Sequence, residues 1–190
     1  MTTQERRWIL GGGLASGKSA VLRVLAAAGA ATVDADSVGH SVLEPEAAAF
    51  RDVAQRWPGV VSQGRIDRRA LAEVVFNDPE ELSTLEGITH PHIFDTIRGQ
   101  VEEIEGPVVV EMPVISTALG KEWRRMVVDS RHDEKLRRAV ARGMDEGDAR
   151  ARLGSQPSRE EWLAAADLVV PNHGSLAELE KSAADVAKLL

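Results

Sequence analysis

The chain has 190 residues, 43% hydrophobic and 28% charged, which is enough for one soluble domain with a real core and too little for two independent ones. A net charge of −7 argues against broad binding to nucleic acid or to a bilayer surface, which both call for a basic face. The absence of cysteine excludes disulfides and thiolate metal sites and suits a reducing compartment.

The opening stretch, MTTQERRWIL, lacks the apolar core of a signal peptide. No run approaches the ~20 apolar residues of a membrane span, so a cytoplasmic protein with no membrane partner is expected. WIL at 8–10 feeds directly into glycines and predicts a short buried strand ending in a turn. In SAVLRVLAAAG, Val21, Leu22, Leu25 and Ala28 fall on one helical face, and Gly29 is the stop. ATVDAD (31–36) predicts a second strand ending in two acids. From Val38 to Gly106 the pattern is mostly helical. Asp78 is a cap, Pro79 suits the first helical position, and two glutamates follow. His90-Pro91 predicts the start of another helix, with Phe94, Ile97, Val101 and Ile104 on one stripe. PVVVEMPV (107–114), MVVD (126–129) and LVVP (168–171) have the continuous apolar character of strands buried on both faces. Between the last two lies an Arg-rich helical stretch, 131–166, and capping boxes pair Ser158 with Glu161 and Ser175 with Glu178. Strand–helix alternation around about five short strands predicts an α/β fold with a parallel sheet flanked by helices.

GGLASGKS fits G-x-x-x-x-G-K-S/T at Gly12, Gly17, Lys18 and Ser19. Phosphate oxygens need several N–H donors converging on one concave loop, and glycines let the backbone curl and approach closely. A helix that begins at Lys18 adds its own N–H groups and the positive end of its dipole. Lys18 is placed to neutralise the β- and γ-phosphates, and the Ser19 hydroxyl to ligate Mg²⁺. An apolar strand before the motif and an amphipathic helix after it are the context that such a phosphate-binding loop (P-loop) requires.

A phosphate cradle does not say what the phosphate meets. Alternation puts Asp34 and Asp36 on one side of the second strand, roughly 6–7 Å apart. One of them can accept a proton from an attacking hydroxyl, with Asp36 favoured; the other reading is that both cap the next helical turn. Glu111 is a charge inside an apolar strand, placed either near a magnesium ion or at a strand end bonded to a neighbouring loop. Arg138 and Arg142 are i, i+4 and share a helical face, as part of a closing lid or of a solvated charged helix. His90 and His92 show no metal-binding spacing; His90 either holds the helical insert or touches substrate. The scattered tryptophans at 8, 57, 123 and 162 suit core packing.

A guanine-reading Asn-Lys-x-Asp segment is missing, and an ATPase of the larger classes needs more chain. A small-molecule kinase fits better. At this point the chain resembles the dephospho-CoA kinase family over nearly its whole length. GGLASGKS resembles the family's G-G-I-G-S-G-K-S/T, and VDADSVGHSVLEP its I-D-A-D followed by a helix. GRIDRRALAEVVFNDPEELSTLEGITHPHI resembles G-x-L-D-R-x-x-L-A-x-x-V-F…L-E-x-I-x-H-P-x-I, the most diagnostic block. LRRAVARG with the later Gln156 resembles R-x-x-x-R…Q, and AADLVVPNHGS resembles A-D-x-V-I-x-N-x-G.

The resemblance implies a P-loop kinase fold in one domain: a core of 6–37, 105–130 and 167–190, a helical acceptor-binding insert at about 38–104, and an Arg-rich lid at about 131–166. It implies ATP-dependent phosphorylation of the ribose 3′-hydroxyl of dephospho-CoA, with Mg²⁺, as the last step of coenzyme A synthesis. Gly13, Ala15, Ser16, Gly17, Lys18, Ser19 and Ala20 would hold the ATP phosphates, Arg138 and Arg142 would belong to the lid, and Asn172 would lie near the adenine. Asp34, Asp36, Arg68 and His90 would meet the acceptor, with Asp36 as base and Lys18 and Arg142 as the other catalytic groups. A monomer or weak homo-oligomer is expected. The chain departs from the family pattern at Pro113–Thr117, His40, Lys135 and Ala20. Another small-metabolite kinase on the same scaffold, or a nucleotide-binding regulator without transfer chemistry, are the competing readings.

Overall fold

The structure, a computed structural model, describes residues 6–190. The first five residues, on which the signal-peptide expectation partly rests, lie outside the described residues. The chain divides into two compact units: the described residues through Asp34 together with Ile104–Leu190, and Ala35–Glu103.

The first unit is built on a five-stranded parallel sheet: β1 (Arg7–Gly11), β2 (Ala31–Asp34), β5 (Val108–Glu111), β6 (Arg124–Asp129) and β7 (Leu168–Pro171), in the order β2-β5-β1-β6-β7. All five expected strands are present, and each is short because Gly, Asp or Pro interrupts the apolar run. Alternation along β1 sorts its side chains between faces. Trp8 and Leu10 join Val109, Met126, Val128 and Val170 under α1 (Lys18–Ala27) and α9 (Leu176–Ala187), whose Val21, Leu25, Leu179 and Ala183 complete that core. On the opposite face, a methyl placed on Gly11 would strike the Trp162 ring at 2.6 Å, so only glycine lets α8 (Arg159–Ala164) approach. The remaining helices of this unit are α6 (His132–Ala141) and α7 (Glu146–Gly154). Both capping boxes form, with Ser158 and Ser175 each accepting from the N–H three residues on.

The strand order reverses at β1, which pairs with β5 on one side and β6 on the other. Ligands of open α/β sheets bind beyond the carboxyl ends of the strands at such a switch point. The glycine-rich loop leaves β1 there.

The second unit holds α2 (Ala35–Ser41), α3 (Phe50–Arg56), a hairpin of β3 (Val61–Ser62) and β4 (Arg65–Ile66), α4 (Arg68–Val75) and α5 (Pro79–Glu102). Val53, Trp57, Val60, Ile66, Leu71 and Val75 form its own core. Asp67 and Asp78 cap α4 and α5 through their carboxylates.

Several local expectations are corrected. The second strand stops at Asp34, and Asp36 lies in the first turn of α2, so the two acids are not alternate residues of one strand. An acid there is favoured by the helix dipole, which lets the helix begin two residues earlier than alternation suggested. His90-Pro91 does not open a helix; Pro91 lies inside the 24-residue α5. The missing Pro91 N–H leaves the Gly87 carbonyl without its helical partner, and both residues are exposed, so water can serve instead. Ile104 falls beyond the end of α5, and Ala28 is exposed at the end of α1. The third strand ends at Glu111, short of Pro113, which has no N–H for a ladder. The two-residue strands of the hairpin are too short to register as a period-2 pattern.

Candidate active site

The loop from Gly12 to Ser19 joins β1 to α1. Gly12 (φ +135°) and Gly17 (φ +110°) adopt conformations that disfavour any side chain. A methyl on Gly17 would also meet Asn172 Nδ2 at 2.5 Å. Gly17 is the N-cap of α1 and has no side chain with which to cap it, so the N–H groups at the positive end of the helix open into the loop. Lys18 Nζ donates to the carbonyls of Gly12 at 3.0 Å and Gly13 at 3.3 Å, and lies 4.0 Å from Glu111 Oε1. Glu111 is at the carboxyl end of β5 in register with Asp34 of β2 and Leu10 of β1. The Ser19 side chain is exposed in the first turn of α1.

Three residues brace the loop: Asn172 after β7, Ser130 after β6, and Arg138 on α6. Asn172, 5% exposed, donates from Nδ2 to the Ser16 carbonyl at 2.7 Å and from its backbone N–H to the Asp129 carbonyl at 2.7 Å. Arg138 donates to Asn172 Oδ1 at 3.1 Å and to the Ser130 hydroxyl at 2.6 Å. That hydroxyl in turn donates to the Asn172 carbonyl at 2.7 Å. Arg138 and Arg142, the C-cap of α6, line a cleft of about 110 Å³ with Gly17, Ala20, Asn172 and Leu179. The Ser16 hydroxyl is buried with no partner among the described residues, so it is the backbone of this residue that holds the loop.

A second set of contacts reaches the loop from α6 and the segment after α7. Gln156 Oε1 accepts from the Leu14 N–H at 2.7 Å, and Lys135 lies beside Gly13. Behind them Asp129 accepts two bonds from Arg159, both at 2.7 Å, and faces His173 Nε2 at 3.1 Å. The Arg159 hydrogen bond holds the Asp129 carboxyl below its usual range, with further help from the His173 charge and against the effect of burial. The sequence carried a faint signal of this group, because Asp129 closes an apolar strand on the same carboxyl edge as the loop.

Of the predicted residues in the first unit, Gly13, Ala15, Ser16, Gly17, Lys18, Ser19, Ala20, Arg138, Arg142 and Asn172 lie in or around one loop and its adjoining cleft, while Asp34 ends β2 opposite Glu111. In the second unit, Arg68 lines a small polar cleft with His40, Glu44 and Arg65. His90 is not on that cleft; it is exposed on α5 with its ring 5.7 Å from that of Phe94. Asp36 opens α2. No cluster of three or more His, Cys, Asp or Glu side chains suited to a metal exists among the described residues.

A family model described as dephospho-CoA kinase matches residues 8–178. The chain belongs to the dephospho-CoA kinase family. The dephospho-CoA kinase of Thermobifida fusca is 36% identical over 184 residues, which covers 93% of this chain and 92% of that one. A crystal structure from Thermus thermophilus is similar with a TM-score of 0.82 at 31% identity, covering 97% of this chain and 98% of the other. A dephospho-CoA kinase structure from Campylobacter jejuni gives a TM-score of 0.66 at 26% identity, covering 96% of each chain. Family membership makes the chain a transferase, and kinase chemistry implies ATP as the phosphoryl donor.

Proposed function

We propose that the loop from Gly12 to Ser19 holds the ATP phosphates while Asp36 activates the 3′-hydroxyl of dephospho-CoA, in the final step of coenzyme A biosynthesis. The observation that carries this reading is the uncapped positive end of α1 opening into a glycine-rich loop that Asn172 and Arg138 hold from behind. Lys18 lies on the carbonyls of Gly12 and Gly13 and is placed to exchange them for phosphate oxygens. Arg142 faces the cleft beside Gly17 and supplies positive charge as the phosphoryl group moves, while Arg138 is occupied with Asn172 and Ser130 and orients the loop. The cleft's apolar side, with Ala20 and Leu179, suits a nucleobase.

Asp36 accepts the proton of the attacking hydroxyl; the chain tethers it two residues beyond Asp34 at the edge of the sheet. Arg68 and His90 belong to the acceptor side. Holding donor and acceptor in line supplies about 7–11 kcal/mol of the barrier reduction. The Ser19 hydroxyl and the carboxylate of Glu111 are hard oxygen donors beside the loop, and they are the residues that would hold Mg²⁺. Such an ion would supply positive charge to the phosphates of the nucleotide.

The chain is expected to act in the cytoplasm as a monomer or weak homo-oligomer. No helix among the described residues is long and apolar enough to cross a membrane. A coupled ADP-release assay tests the whole reading. Release that requires dephospho-CoA supports it. Release driven by another alcohol points to a different metabolite kinase, and tight ATP binding without transfer points to a nucleotide-sensing regulator.

A further inference from the structure

Lys135 lies on α6 and is 7% exposed, yet among the described residues its ammonium has no hydrogen bond or ion pair. A methyl placed on Gly13 would lie 3.1 Å from Lys135 Nζ and 3.5 Å from its Cδ, so the side chain runs against the loop. Lys18 Nζ is 3.3 Å from the carbonyl of the same glycine. Two ammonium groups therefore attend one residue of the phosphate-binding loop.

The carboxylates around Lys135 are engaged elsewhere. Asp129 is held by Arg159 through both oxygens and by His173. Glu134 accepts from the Arg131 N–H and faces His173 Nδ1. Asp129 and Glu160 act on Lys135 only through space, and Arg159 opposes them. Burial of the side chain pushes the Lys135 ammonium below the usual lysine range, and the charge of Asp129 offsets this only in part. A buried cation in that position is costly until an anion arrives.

We propose that Lys135 is a second phosphate-binding lysine, which holds the terminal phosphate of the bound nucleoside triphosphate against Gly13. The inference rests on the kinase reading above and adds a residue to it. A diphosphate lacks the group that Lys135 reads, so the contact is lost when transfer is complete and product release is favoured.

Lys135→Met keeps the buried volume and removes the charge. Affinities of the full chain for ATP and for ADP are measured by titration calorimetry without acceptor. The variant is expected to lose about 10–100-fold in ATP affinity while ADP affinity stays within about threefold of the unaltered chain. Equal losses for both nucleotides, or no loss for either, overturn the proposal, because a side chain that only shapes the loop does not count phosphates. If circular dichroism shows that the Met variant does not fold, Lys135→Gln takes its place and is judged by the same two outcomes. Dephospho-CoA-dependent ADP release by the unaltered chain is followed in parallel. Its absence would remove the kinase reading itself, a result independent of the nucleotide affinities.

Discussion

Lys18 is the first residue of α1, and its ammonium rests on loop carbonyls that a triphosphate would displace. Lys18→Ala is therefore expected to lower turnover on the order of 10²–10³-fold with an unchanged circular dichroism spectrum. Asp36→Ala is expected to lower it by about 10²–10⁴-fold. Turnover by Asp36→Ala equal to that of the unaltered chain in the ADP-release assay would show that the base lies elsewhere. Asn172 has a different task, since its amide spans from Ser16 to Arg138. Asn172→Ala leaves both groups short of a partner and should cost about 1–3 kcal/mol in urea unfolding, with a raised KM for ATP. Asp129 links charge to pH. Its carboxyl is depressed in the folded chain, so its contribution is present above the ordinary aspartate pKa of about 3.9 and is lost as pH falls through the lower folded value. Asp129→Asn should be the less stable chain at neutral pH, and the gap in urea midpoint should close below about pH 4. A gap that persists unchanged in acid would mean that the pair with Arg159 contributes nothing through charge.

Among the elements, α5 departs furthest from its sequence pattern. Its start was legible, since Asp78 caps and Pro79 follows, and the cap bonds to Glu80 and Glu81 are in place. Its middle was not legible, because Pro91 is a sound local signal for a helix start and only packing on both sides carries the helix through it. Ile97 and Val101 are fully buried on its second half, and Thr89 is largely buried on its first. Pro91 itself is exposed, so Pro91→Ala removes a backbone conflict with no loss of packing. The variant should be more stable by about 1–2 kcal/mol, after allowing for the greater freedom of its unfolded chain. A lowered melting temperature would show that the proline is accommodated without strain. The boundary between β2 and α2 has the same origin. Alternation continues through Asp36 on paper, but the ladder with β5 ends where Asp34 meets Glu111.

Over the whole molecule, the two units keep separate cores. Leu71 is 3% exposed in the core of the second unit. Leu71→Ala should cost about 2–5 kcal/mol there. Hydrogen exchange should then accelerate across α3, α4 and α5 while β1, β5 and β6 remain protected; equal acceleration in both units would argue for a single cooperative core. The sequence by itself determined the five strands, the loop and the helix that follows it, the caps and the family, because each depends on residues that are neighbours in the chain or on motifs several residues long. Only the tertiary structure decided that β5 lies between β2 and β1, that Asn172 holds Ser16 across 156 residues, and that Lys135 and Gln156 reach Gly13 and Leu14. Those contacts join segments far apart in the chain, and neither periodicity nor composition records which distant side chain will fill the space beside a glycine.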